Sequence, residues 1–110
     1  MIDFEAVEKA QNDRSFGETG WLTFCLQGSA DPHMRMAPGL QELGAINLSD
    51  GSSGFVYAKV PVVIERSDIE ARIEQVRALA KAVEIEIAVI DLDASPNVEK
   101  SKFYTLWLAK

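Results

Sequence analysis

The sequence predicts an α+β domain: a ferredoxin-like two-layer sandwich, an antiparallel sheet with two helices on one face. Three observations predict it. Hydrophobic periodicity switches along the chain between strand and helix spacing, in the order β-α-β-β-α-β. The chain has 110 residues, 47% of them hydrophobic and 25% charged, which suits one globular domain over 1–110 with its own core. A leading helix and a trailing strand flank that central order. Right-handed crossovers would place both central helices on the same side of the sheet.

The segment IDFEAVEKAQNDRSF reads as a short N-terminal helix with Phe4, Val7 and Ala10 on one stripe, ended by Gly17 and Gly20. WLTFCLQ alternates, with Leu22, Phe24 and Leu26 on one face and Trp21, Thr23 and Cys25 on the other. SADPHMRMAPGLQELG reads as a helix entered at Asp31-Pro32, kinked or split at Pro38-Gly39 and stopped at Gly44. AINL is a short strand and SDGSSG a polar turn. That turn lacks the Lys-Ser/Thr ending and following helix of a phosphate loop. FVYAKVPVVI is a strand with Val56, Ala58 and Val60 on one face and Phe55, Tyr57 and Lys59 on the other; Pro61 ends pairing on one side. In SDIEARIEQVRALAKAVE, Ser67 and Glu70 fit a capping box, and Ile69, Ile73, Val76, Leu79, Ala80 and Val83 trace a helical stripe. IEIAVIDLD is a β-branched strand, ASPNVEKS a turn, and KFYTLWLA the extra C-terminal strand.

The net charge is −6, with the basic residues scattered, so no basic stripe marks a nucleic-acid surface. An acidic surface suits a basic protein partner. The N-terminus has no basic-then-apolar leader, and no apolar run approaches a membrane span. With one cysteine there is no internal disulfide. The expectation is a cytoplasmic protein that needs no membrane and no cofactor.

Catalytic chemistry is sparse. Cys25 and the single histidine, His33, are candidates for a nucleophile and its base. Strand phase puts Cys25 away from the apolar residues beside it, and His33 lies past a turn with no third residue to orient it. Cys25 reads as a half-buried packing residue and His33 as a surface imidazole without a catalytic role. Asp31 with His33 is too few ligands for a metal. Paired carboxylates occur at Asp91 and Asp93, Glu84 and Glu86, and Asp50 and Glu42. The strand-end aspartates also serve as turn starters.

Strand phasing gives the strongest signal. Trp21, Phe55, Tyr57, Phe103 and Trp107 all fall opposite the helix-covered side. An aromatic sheet face needs a cover. RNA can stack on such a face, although the charge opposes it. A second copy or another protein is the alternative, with Trp and Tyr as anchors. The N-terminal helix could also fold across it, since Phe4 and Val7 must be buried somewhere. The partner-binding candidates are Trp21, Phe55, Tyr57, Trp107, Asp91 and Asp93, with no catalytic and no metal-binding residues.

From about Leu22 to Asp91 the chain resembles the bacterial RraB-like proteins, small acidic regulators of ribonuclease E. The likeness rests on LTFCL, LQELGAINL with Gly44, DGSSG, FVYAKV and DIEARIEQVRALAKAVEIEIAVID. Where the family commonly has Asp-Gly-Trp after the last core strand, this chain has DLDASP. The resemblance implies an α+β sandwich that binds a protein partner. Immunity proteins that neutralise toxins share this architecture. The resulting expectation is a non-enzymatic inhibitor or regulator of a basic partner such as a nuclease or toxin. The alternative is a ferredoxin-like homodimer, an enzyme or a small-molecule binder, with the aromatic face lining the cavity and His33 or Tyr57 orienting the ligand.

Overall fold

A computed structural model describes residues 2–28, 30–49, 55–95 and 102–109, with backbone alone at 30–33 and 47–49. The elements run α1 (Phe4–Gln11), β1 (Thr19–Gln27), α2 (Ala30–Glu42), β2 (Ile46–Ser49), β3 (Phe55–Val63), α3 (Arg66–Ala82), β4 (Glu86–Asp93) and β5 (Phe103–Leu108). The strands form one antiparallel sheet in the order β2-β3-β1-β4-β5. The chain is thus an α+β two-layer sandwich. In its order, β3 separates the two strands joined by α2, and β1 separates the two joined by α3. This is compatible with the ferredoxin-like expectation.

One apolar cluster holds the layers together. Leu22, Phe24 and Leu26 of β1 lie level with Val60, Ala58 and Val56 of β3, and Leu92 and Ile90 of β4 continue the row. Met36 and Leu40 of α2 and Ile69, Ile73 and Val76 of α3 close on them. Ala6, Val7 and Ala10 of α1 join the same cluster. So α1 packs on the closed face beside α3, and the idea that it folds over the aromatic face is corrected. Its position is fixed by Arg66 stacking over the Phe4 ring at 4.0 Å, by Gln11 Nε2 donating to the Ile64 carbonyl, and by Asp3 N–H donating to the Leu106 carbonyl. Asp3 also caps α1, accepting from the Glu5 and Ala6 amides. The helix ends at Gln11, before either glycine, and Gly20 lies inside β1.

α2 is one helix with Pro38 inside it, not a split pair. A proline removes a single i→i−4 bond. Met36 and Leu40, buried on either side, hold the helix through the gap. At Gly39 an added Cβ would come within 2.5 Å of Leu79 Cδ2, so glycine lets α2 approach α3. α2 stops as expected at Gly44 (φ 79), where the Ala45 and Gly44 amides donate to the Leu40 and Gln41 carbonyls. α3 ends in the same motif with Glu84 at φ 59 in the left-handed position. The capping box is corrected: α3 starts at Arg66 with Glu65 at the cap and no side-chain cap bond. Asp68 instead accepts the Val63 amide at 2.7 Å, tying the helix start to the end of β3. β2 pairs with β3 only as far as Lys59, so the pairing ends before Pro61. The SDGSSG turn from Asp50 onward lies outside the described residues. No helix is long and apolar enough to cross a membrane among the described residues.

Candidate functional site

Every second residue of β1 points away from the helices. Among the described residues, no helix or strand lies over that side. Register aligns the outward side chains in rows. Tyr57, Cys25, Val89 and Leu108 form one row; Lys59, Thr23, Asp91 and Thr105 the next; Pro61, Trp21, Asp93 and Phe103 the third. Phe55 lies level with Gln27 at the end of β1. The structure therefore brings Trp21, Phe55, Tyr57, Asp91 and Asp93 onto one face.

Trp107 is the exception. β5 carries an extra residue, Leu106, between the residues level with Asp91 and Ile90. That bulge reverses the phase of the strand. Phe103 stays on the open face, but Trp107 lies level with Ile90 on the closed face. There it packs against the core with the Arg77 guanidinium 5.6 Å from its ring centroid. Trp107 is thus removed from the open-face set.

A polar network lies at the centre of the open face. Lys59 Nζ donates to Asp93 Oδ2 at 3.2 Å, and the side chains are only 3% and 9% exposed. Thr23 Oγ1 also donates to Asp93 Oδ2. Lys59 reaches on to the Ser95 carbonyl at 3.4 Å, so the chain leaving β4 leans back over the sheet. A buried lysine needs such partners, because an unpaired ammonium in low dielectric is costly. Thr105 Oγ1 donates to Asp91 Oδ1 at 2.8 Å. Burial pushes the Asp91 carboxyl above its ordinary value. The Thr105 hydrogen bond opposes this, neighbouring Asp93 adds to it, and Lys59 offsets part.

The sequence reading named both aspartates but missed Lys59, Thr23 and Thr105. The available signal was a lysine in an otherwise apolar strand, FVYAKVPVV, which has to find a carboxylate. Large apolar side chains flank the polar centre: Phe103 and Leu108 on β5, Ile46, Tyr57 and Val63 on β2 and β3, all exposed.

Cys25 is buried on this side and outside the main cluster. The His33 side chain lies outside the described residues; its backbone is in the first turn of α2. Among the described residues, no group of three or more His, Cys, Asp or Glu side chains is placed to hold a metal.

A second polar hub went unread in the sequence. Asp13, after α1, accepts from Lys102 Nζ at 2.6 Å, Tyr104 Oη at 2.7 Å and the Ser15 amide at 2.9 Å. These donors, Lys102 first, hold its carboxyl well below the usual carboxylate range. Asp13, Tyr104 and Lys102 border an open recess of about 730 Å³ beside α1. Because the hub ties the α1–β1 connection to β5, it reads as structural. Compared with known proteins, the chain matches no family model, no curated protein and no solved structure.

Proposed function

We propose that this chain is a non-enzymatic binding protein, a small acidic regulator or inhibitor that occludes a basic protein partner through the open face of its sheet. The observation that supports it most is that face, over which no described helix or strand lies and on which Trp21, Tyr57 and Phe103 share a side with Asp91. Aromatic side chains provide apolar burial at low entropic cost. The net charge of −6 raises the encounter rate with a basic protein. The resemblance to RraB-like regulators, and the architecture shared with immunity proteins, favour the same class of function. The test is capture from native lysate on the immobilised full chain. A basic protein should be retained at low salt and released as salt rises. Trp21→Ala and Tyr57→Ala should each weaken retention. If nothing is retained, or both variants retain it unchanged, the reading fails.

One observation favours a second reading, the homodimer around a small molecule: the polar centre lies between exposed apolar side chains on both flanks. Native mass spectrometry of the purified chain would show a dimer carrying a bound small molecule if that reading is correct.

A further inference from the structure

Among the described residues, the polar centre of the open face holds one cation, Lys59, beside two carboxylates, Asp91 and Asp93. Lys59 is committed to Asp93, and Thr23 donates to the same oxygen. Asp91 has a neutral hydroxyl, Thr105, as its hydrogen-bond partner, and no cation hydrogen-bonds it among the described residues. Asp91 is half-buried already, in the middle of the polar row. Any partner that packs on the apolar flanks completes that burial. A carboxylate fully removed from water needs a donor of opposite charge, or it must take up a proton.

We propose that the partner of this face seats a cationic side chain, an arginine or a lysine, on Asp91. The inference rests on the reading of the open face as the contact surface. Three observations favour this occupant. Among the described residues, the polar centre of a second copy's face offers one cation, Lys59, which is 3% exposed and held by Asp93, so it is not available to Asp91. The metal alternative lacks ligands among the described residues. Trp21 lies level with Asp93 and diagonal to Asp91, where an indole can stack on a planar guanidinium that forks onto the carboxylate. Among the described residues, the groups around Asp91 are Lys59 from β3, Thr23 and Trp21 from β1, Asp93 from β4 and Thr105 from β5. Among these groups the one cation, Lys59, is held by Asp93.

The probe is N-acetyl-arginine amide, titrated into the isotope-labelled full chain at constant ionic strength and followed by NMR. N-acetyl-citrulline amide, a neutral isostere, is the control. The arginine probe should shift the Asp91 carboxyl carbon and the Thr23 and Thr105 amides saturably. It should also lower the Asp91 titration midpoint by about one unit, as a cation in contact with a carboxylate does. The citrulline probe should do neither, and Asp91→Asn should lose the saturable response. Equal responses at the exposed Glu8 and Glu42, equal responses to citrulline, or no response at Asp91 overturns the proposal. So does a concentration-dependent dimer that shifts Asp91 without probe. The capture experiment separates the two levels. A partner that still binds Asp91→Asn but not Trp21→Ala removes the cation and leaves the contact surface. No captured partner removes the contact surface itself.

Discussion

The two faces of this sheet come from the same strands and do different work. Leu22, Phe24 and Leu26 of β1 are sealed under three helices. One residue over, Trp21 and Thr23 look out from a face with no described element above it, and even so Lys59 and Asp93 on that face are buried. Burial on the closed side comes from elements packed over the sheet. On the open side Lys59 and Asp93 are buried as a pair, with Thr23 and the Ser95 carbonyl as further partners. The closed face accounts for the stability of the domain, and the open face presents large side chains without dissolving the fold.

Substitutions can break that contrast. The largest effect belongs to the closed face: Phe24→Ala should cost about 3–5 kcal/mol in denaturant unfolding. Trp21→Ala, three positions earlier and half-buried, should cost less than half as much while weakening partner capture. Equal costs would mean that the open face is sealed too.

Lys59→Ala comes next, at about 3 kcal/mol, because it takes the Lys59 cation away from the buried Asp93 carboxylate. Pairing Lys59→Met with Asp93→Leu should recover most of that loss, which a double-mutant cycle measures directly. Full additivity would show that the pair is not coupled.

Two carboxylates sharpen the comparison through opposite pH dependence. Asp91, on the open face, titrates above its unfolded value, so its ionisation opposes folding. Asp91→Asn should therefore stabilise the chain at neutral pH, and the advantage should shrink as pH falls through the raised titration. Asp13 beside α1 is held below its unfolded value, so it contributes stability that is full above the ordinary carboxylate range and is lost as pH falls beneath it. Asp13→Asn should lower stability at neutral pH and flatten the acid limb of the stability curve. Melting of the two variants between neutral pH and acid checks both signs.

Cys25→Ala should have the smallest effect, about 1 kcal/mol, since a lost thiol leaves little cavity. Its alkylation at neutral pH should be slower than that of free cysteine. Rapid alkylation would point to an activated thiol and a chemical role for the open face.

Alternation and helical spacing were enough to place each element in order, because apolar residues at period two or about 3.6 leave few other readings. Phase survived as far as Phe103 and failed four residues later at Trp107. A bulge at Leu106 changes no residue type, so nothing in KFYTLWLA announces it. Ser67 and Glu70 had the letters of a capping box, but the cap of α3 is Glu65, two residues before Ser67, and the Asp68 carboxylate accepts the Val63 amide. The position of α1 depended on Phe4 meeting Arg66 and on Gln11 meeting Ile64, contacts between segments more than 50 residues apart. Lys59 and Asp93 lie 34 residues apart, and only the strand order makes them neighbours.

The two irregularities of the sheet have a mechanical consequence. The register of β4 slips against β1 at Ala88, and that of β5 slips against β4 at Leu106. Each slip leaves a residue out of one ladder, and each of those residues offers its carbonyl to an end of the described chain: Leu106 to the Asp3 amide and Ala88 to the Ala109 amide. Asp3 is therefore fastened to the edge strand β5, and Ala109, just past β5, to its neighbour β4. A force applied between residues 3 and 109 would load those two bonds first and peel β5 from the sheet before reaching the closed core. Single-molecule pulling from handles at those positions should accordingly show a weak first rupture, with β1, β3 and β4 still joined behind it.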